Sequence, residues 1–115
     1  MDQACLFCRI VAGEIPARLV FQDEEILAFE DIAPQAPVHL LIVPKRHLSH
    51  LFATAAEEAP LLGRMITTAT DLARQAGLES AGFRLVMNCL EGAGQSVFHL
   101  HLHLLGGRRL EWPPG

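Results

Sequence analysis

Several features that would assign this chain to a membrane or secreted class are missing from its sequence. No apolar run approaches the ~20 residues that a membrane-spanning helix needs. The N-terminal stretch MDQACLFCRI lacks the basic region and following apolar stretch of a signal peptide. Internal repeats and low-complexity tracts are also missing, and EWPPG at the end is the one linker-like segment. We therefore expect a cytoplasmic protein with no membrane partner.

Basic charge and cysteine are both scarce. The chain has nine Lys and Arg residues and 13 Asp and Glu residues, so the net charge is −4. Sequence-independent nucleic-acid binding depends on clustered basic side chains, so we expect no nucleic-acid partner, and any phosphate must be bound by local donors. The three cysteines are Cys5 and Cys8, in a Cys-x-x-Cys pair, and the isolated Cys89. An odd number argues against a disulfide framework and is consistent with a reducing compartment.

The hydrophobic pattern predicts one α+β domain. The chain has 115 residues, of which 50% are hydrophobic and 19% charged, enough for a modest core. Helical periodicity covers 55–76, where apolar residues recur at three- and four-residue steps, and a short helix is expected at 5–12. Strands are predicted at 17–23, 25–31, 37–45, 83–90 and 96–105. Short connections favour antiparallel pairing, so we expect a five-stranded, meander-like antiparallel sheet with the long helix on one face.

The segment SVFHLHLHLLGG alternates histidine with leucine in the last predicted strand. Side chains alternate across a strand and repeat every ~6.5–7 Å on one face. One face therefore carries His99, His101 and His103. The intervening leucines point the other way, which we expect to be toward the long helix.

Three interpretations of the histidine row stay open on this pattern alone. The histidines can be buried polar groups satisfied by backbone carbonyls, they can be metal ligands, or they can be catalytic, because a neutral imidazole attacks electrophiles and transfers protons near pH 7. The preceding EGAGQS favours the third. Its glycines allow backbone N–H groups to turn inward and bind an anion such as phosphate.

These motifs together resemble the histidine triad superfamily of nucleotide hydrolases and transferases. HLHLHLL matches its His-φ-His-φ-His-φ-φ signature, where φ is hydrophobic. GEIPA, LAFEDIAPQAPVH, IVPKRH, GQSVFHLHLHLLGGR and the terminal WPPG are similar to the Hint branch, the purine nucleoside phosphoramidases. The resemblance implies hydrolysis of a P–N bond through a covalent nucleotidyl-histidine, releasing a nucleoside monophosphate and an amine. Two alternatives are a dinucleoside polyphosphate hydrolase and a nucleotide-binding scaffold with vestigial catalysis.

The resemblance also assigns roles to single residues. His101 would be the nucleophile, a protonated His103 would contact the phosphate, and Ser96 would help the amine to leave. Contacts to phosphate, ribose or base are implied for Gly94, Gln95, Asp31, Ile32, His39 and Asn88. Asp31 would bind the ribose hydroxyls and Ile32 would pack against a purine base, while His39 would be an accessory histidine near the site.

Some bacterial members of the superfamily carry the N-terminal cysteine pair and complete a structural zinc site with two histidines. Here the implied ligands are Cys5, Cys8, His47 and His99. His50 is a lower-ranked alternative ligand, and a metal-free pair of buried thiols is the competing interpretation. Four Cys and His ligands would make a closed tetrahedral site.

The resemblance covers residues 1–115 as a single domain in which 108–115 forms a C-terminal tail. Members of the family form homodimers by joining two sheets into one of ten strands, and the tail, here with Trp112, reaches toward the partner's site. One departure from the family lies in NCLEGAGQS, where Cys89 and Leu90 replace an acidic-glycine pair, so the geometry of this loop is not predicted.

Overall fold

A computed structural model describes residues 4–115. The helices are α1 (Leu6–Val11) and α2 (Ala59–Gln75). The strands are β1 (Leu19–Gln22), β2 (Ile26–Glu30), β3 (Val38–Pro44), β4 (Phe83–Val86) and β5 (Leu102–Gly106). Single 3-10 turns occur at Leu51–Ala53, Ala56–Glu58 and Glu91–Ala93.

The five strands form one antiparallel sheet in the order β1-β2-β3-β5-β4, which confirms the α+β class. The expectation of a meander is wrong in one respect, because β5 lies between β3 and β4. The long connection after β3 contains α2 and crosses one face of the sheet. The chain therefore reaches β4 at the far edge and returns to place β5 in the gap.

The two faces of the sheet have different cores. The first face packs on α2, where Met65, Ala69 and Leu72 meet apolar side chains of every second strand residue, among them Ile26 and Ile42. Burial of each Leu, Ile or Met side chain in this core contributes about 1.5–3 kcal/mol relative to exposure. The second face is covered by α1 and contains Phe7, Cys5, Cys8, Leu27, Phe29, Leu41 and Val43.

The last strand is shorter than predicted, since β5 begins at Leu102 and not near residue 96. Leu100 shows why, because its backbone N–H donates to the carbonyl of Leu48 (2.6 Å) and not to a sheet neighbour. The alternation of side chains nevertheless continues. Leu100, Leu102 and Leu104 are all buried in the core against α2, as expected. His99 and His101 therefore lie just ahead of β5, and His103 lies within it.

The tail after β5 is attached to the domain by two arginines. Arg108 Nε donates to the Gln35 carbonyl (3.0 Å), and a terminal nitrogen of Arg84 donates to the Glu111 carbonyl (2.8 Å). Trp112 is 81% exposed. Among the described helices, none has the length and apolarity that crossing a bilayer requires.

Candidate active site and metal-binding cluster

His101 is oriented with one ring nitrogen free. Its Nδ1 lies 2.8 Å from the carbonyl oxygen of His99. A carbonyl can only accept, so Nδ1 carries the proton and the lone pair is on Nε2. Burial lowers the pKa of His101, although the bond to His99 and the charge of Asp31 oppose the shift. At neutral pH the ring is therefore uncharged, and Phe7 packs edge-on against it with the ring centroids 5.2 Å apart.

His103 lies beside His101 in a pair with a third imidazole. Its Nδ1 is 2.9 Å from Nε2 of His39. Burial, together with the neighbouring His101 and His39, lowers the pKa of His103 to about 4, although the charge of Asp31 opposes the shift. The sequence analysis expected a protonated ring here. The structure favours a neutral ring, because burial and two nearby imidazoles disfavour another positive charge.

Asp31 follows β2 and faces the same group. Its Oδ1 accepts from the Ala33 N–H (2.8 Å), and its Oδ2 lies 3.4 Å from Nε2 of His39. His39 is 6% exposed, and burial lowers its pKa although Asp31 opposes the shift. The structure thus brings together Asp31, His39 and His103, and their roles toward a nucleotide stay predictions.

A cavity of about 590 Å³ opens between α1 and the sheet. Its walls are mostly apolar and include Leu6, Phe7, Ile10, Phe29 and Val97. Asp31 and Ser96 provide polar groups at its edge. Ile32 also lines the cavity, and its side chain is fully exposed (101%). The cavity can accept a flat apolar ring attached to a hydroxylated or charged group.

The loop before the histidines is held by Gln95. This side chain is 3% exposed, its Oε1 accepts from Leu90 N–H (2.7 Å), and its Nε2 donates to the carbonyls of Ser49 (2.8 Å) and Val97 (3.1 Å). Both ends of the amide are therefore bonded within the protein, and a contact of Gln95 with phosphate or sugar stays a prediction. Ser96 is exposed at the cavity.

The turn within this loop is formed by Gly94, which has φ +99°, a conformation that side chains oppose. Asn88 lies beside Gly94. A Cβ added to this glycine would be 3.8 Å from Nδ2 of Asn88. Asn88 and Gly94 therefore lie together at the start of the segment that leads to the histidines.

Four Cys and His side chains gather on the other side of His101. The donor atoms of Cys5, Cys8, His47 and His99 all lie within 4.8 Å of one another. Sulfur–nitrogen distances are 3.3 Å for Cys5–His99, 3.3 Å for Cys8–His47 and 3.5 Å for Cys8–His99. His50 lies outside this cluster and packs against Phe52.

The chemistry of these donors fits a tetrahedral zinc ion, with bonds of about 2.3 Å to sulfur and about 2.0 Å to nitrogen. Nε2 of His99 lies 2.7 Å from the Pro44 carbonyl and so donates to it, which directs the lone pair of Nδ1 at the thiols. Burial lowers the pKa of His99, so this nitrogen is unprotonated at neutral pH. Cys5 Sγ also accepts from the Cys8 N–H (3.3 Å), which fixes the start of α1.

Phe7 was not among the predicted site residues, yet its ring contacts two of the triad histidines, with centroids 5.9 Å from His99 and 5.2 Å from His101. Its position between the two cysteines was the available signal, because an aromatic residue so close to two predicted ligands is buried in the same cluster as they are. The backbone groups that orient the imidazoles, the Pro44 and His99 carbonyls and the Gln35 N–H, left no signal in the sequence.

Comparison with known proteins identifies similar chains. The sequence profile of the HIT domain matches residues 12–110. The crystal structure of a HIT family hydrolase from Legionella pneumophila superposes with a TM-score of 0.95 at 53% identity, covering 96% of this chain and 99% of that one. The "14 kDa zinc-binding protein" of Brassica juncea is 46% identical, over 96% of this chain and 98% of its own. "Adenylylsulfatase HINT1" of Arabidopsis thaliana is 46% identical over 99% of this chain and 78% of its own.

Proposed function

Because this chain belongs to the HIT domain family, we propose that it is a hydrolase that cleaves the P–N bond of purine nucleoside phosphoramidates. The observation that carries this proposal is the free Nε2 lone pair of His101, fixed by the bond from Nδ1 to the His99 carbonyl. A neutral imidazole with one nitrogen committed to the backbone and the other free is a suitable nucleophile for phosphorus. The names of the Legionella hydrolase and the Arabidopsis adenylylsulfatase support a hydrolytic reaction at an adenylyl group.

Substrate binding uses the cavity between α1 and the sheet. The purine ring packs on the apolar wall that includes Phe7 and covers the exposed Ile32. The Asp31 carboxylate accepts from the ribose hydroxyls, an interaction in which a charged acceptor is favourable. The α-phosphate then lies at the Ser96 end, close to the Asn88–Gly94 turn.

Catalysis proceeds in two displacements. Nε2 of His101 forms a bond to phosphorus while the P–N bond breaks, and the amine leaves as the Ser96 hydroxyl gives it a proton and takes one from solvent water. Water then attacks the same phosphorus, loses a proton to solvent, and returns the lone pair to Nε2. In both steps the His99 carbonyl accepts the Nδ1–H and stabilises the positive charge of the substituted ring.

A second candidate substrate is adenylyl sulfate, favoured by the name of the Arabidopsis relative. The same attack on phosphorus applies, and sulfate leaves without needing a proton. Dinucleoside polyphosphates are the third substrate class to compare, and a vestigial, non-catalytic protein would turn over none of the three.

The test is His101→Asn, with Cys89→Ala as a control, assayed on an adenosine phosphoramidate, adenylyl sulfate and a diadenosine polyphosphate. We expect turnover of the asparagine variant to fall about 10⁴-fold or more, because removing a nucleophile leaves only binding and electrostatic contributions. Calorimetric binding of adenosine monophosphate should persist. Near-normal turnover of the variant would reject His101 as nucleophile, and a faster reaction on one of the other two substrates would reassign the substrate class.

We also propose that Cys5, Cys8, His47 and His99 hold one structural zinc ion. The donor spacing and the orientation of His99 support this, as does the name of the Brassica relative. A closed site of this kind supplies cross-linking and no open coordination position for substrate. X-ray fluorescence should find one zinc per chain in wild type and Cys89→Ala, and none in Cys8→Ala. Equal zinc in all three proteins would place the metal elsewhere.

We propose a homodimer, in which the free edge of β4 pairs with its copy to form a ten-stranded sheet. Pairing satisfies the backbone groups of an edge strand, and β4 is at one end of the sheet order. Sedimentation equilibrium should give twice the chain mass of 12.6 kDa. A monomer at micromolar concentration would contradict this proposal. The cytoplasmic location and the lack of a nucleic-acid partner stay predictions.

A further inference from the structure

The ring of His39 is fixed in one neutral form by the backbone. The N–H of Gln35 lies 3.0 Å from Nδ1 of His39. A backbone N–H can only donate, so Nδ1 of His39 must hold a lone pair and the ring proton is on Nε2. Burial favours the neutral ring, which carries a single proton, and that proton is the one on Nε2.

That proton determines the form of His103. Nε2 of His39 lies 2.9 Å from Nδ1 of His103, closer than the 3.4 Å to Oδ2 of Asp31. Since Nε2 of His39 donates, Nδ1 of His103 must accept. The proton of His103 is therefore on Nε2, the nitrogen on the far side of the ring from His39.

We propose that His39 is a positioning residue that makes His103 present an Nε2–H donor to the substrate phosphate, through the chain Gln35 N–H to His39 to His103. This inference rests on the proposed hydrolase function for the identity of the acceptor. It gives the three triad histidines different roles through their neighbours. The Pro44 carbonyl directs Nδ1 of His99 to the thiols, the His99 carbonyl frees Nε2 of His101, and His39 sets Nε2–H on His103.

The same chain argues against a metal ion at this position. The donor atoms of Asp31, His39 and His103 lie within 4.8 Å of one another, as those of a metal site would. A metal would need the lone pair of Nε2 of His39, and the Gln35 N–H places a proton on that atom. The short distances are therefore those of hydrogen bonds.

The loop that carries Gln35 is held from its other side by the tail. Arg108 Nε donates to the Gln35 carbonyl, so both backbone groups of this peptide region are bonded to the domain. Gly107 lies against Pro37, where a Cβ would approach the proline ring to 2.9 Å. The position of the Gln35 N–H is thus fixed by contacts outside the catalytic group.

The direct test is the tautomer of His103, read from two-bond proton–nitrogen correlation spectra near neutral pH without substrate. Wild type should show a proton on Nε2. His39→Gln keeps an N–H donor near the position of Nε2 and should preserve this form, whereas His39→Leu removes the donor and should give a mixture. Leu40→Ala is the matched control, because Leu40 is buried on the opposite face of β3 and its loss should lower stability without changing the tautomer.

Kinetics provide the second measurement. Removing a donor to a developing oxyanion costs about 10²–10³-fold in kcat; His39→Leu misorients this donor without deleting it, so we expect kcat to fall about tenfold with KM less affected. His39→Gln should recover most of the rate. A proton on Nδ1 of His103 in wild type, or an unchanged tautomer and kcat in His39→Leu, would overturn the inference. The spectra need no turnover, so they decide it even if the proposed hydrolase activity is absent.

Discussion

The histidines on either side of His101 have the same side chain and opposite surroundings. His99 is 0% exposed, and its Nδ1 faces two thiols in a closed group of four donors. His103 is half-buried, its Nδ1 faces His39, and it groups with His39 and Asp31, which lies at the edge of the cavity. The difference shows that the groups around its two nitrogens determine which role an imidazole can take. The closed cluster is therefore Cys5, Cys8, His47 and His99, and the open cluster is Asp31, His39 and His103.

The largest expected effect is on the closed cluster. Chelation of zinc, or Cys8→Ala, should lower the free energy of unfolding by about 4 kcal/mol when free zinc exceeds its Kd about 1,000-fold, because metal that binds only the folded state stabilises it. Denaturant titration with and without chelator measures this. Cys89→Ala should show the full chelator effect. A wild type insensitive to chelator would remove the contrast between the clusters.

The next largest effect is a loss of folding stability in acid, which arises from His103 in the open cluster. The folded pKa of His103 is about 4, below its ordinary value of 6.5. Between these values the unfolded chain binds more protons, so stability is full above pH 6.5 and falls as the pH is lowered toward 4. His103 alone should contribute a loss of about 3 kcal/mol across this window. The comparison is with His103→Asn, whose pH–stability curve should be flatter by that amount; parallel curves would refute the assigned pKa.

Nucleotide binding should depend on Ile32, which lines the cavity beside Asp31 of the open cluster. Ile32→Ser should weaken adenosine monophosphate binding about tenfold, because about 1.4 kcal/mol of apolar burial is lost on binding. The melting temperature should not change, since the Ile32 side chain is fully exposed in the free protein. Calorimetry and thermal unfolding on the same samples measure both quantities. A change in stability without a change in affinity would place Ile32 outside the site.

A smaller effect on stability is expected from a substitution in the loop that precedes the triad histidines. Leu90 has φ +72° and ψ 169°, a region that glycine adopts far more easily than leucine. Leu90→Gly should raise the free energy of unfolding by about 1 kcal/mol, because such strain costs about 1–3 kcal/mol and glycine entropy offsets part of it. Denaturant titration tests the sign. Destabilisation would show that the packing of the Leu90 side chain outweighs the strain.

The smallest effect on stability is expected from deleting 110–115. These residues are mostly exposed, so the melting temperature should change little, while the ratio of rates on different phosphoramidates should shift. An unchanged ratio together with a lower melting temperature would contradict this. Arg84→Ala is a milder control, because it removes only the bond to the Glu111 carbonyl.

Much of the site could be predicted because its residues lie in dense motifs. The alternation in 99–104 correctly assigned the leucines to the core against α2, since side-chain direction follows from backbone geometry alone. The same pattern overestimated β5, because no local rule shows that the Leu100 N–H bonds to Leu48. The bonds of the Gln95 side chain could not be predicted for a similar reason. Its partners at Ser49 and Val97 become visible only after folding, and its contact with ligand stays a prediction.

By itself, the sequence determined the family, the α+β class and the set of side chains available for chemistry, because these follow from periodicity and short motifs. The tertiary structure alone decided the order of β5 and β4, the distances among the donor atoms of the Cys and His cluster, and which nitrogen of each triad histidine carries the proton. The reason is physical. A proton on an imidazole is assigned by its hydrogen-bonding partners, and here those are backbone groups and side chains distant in the chain.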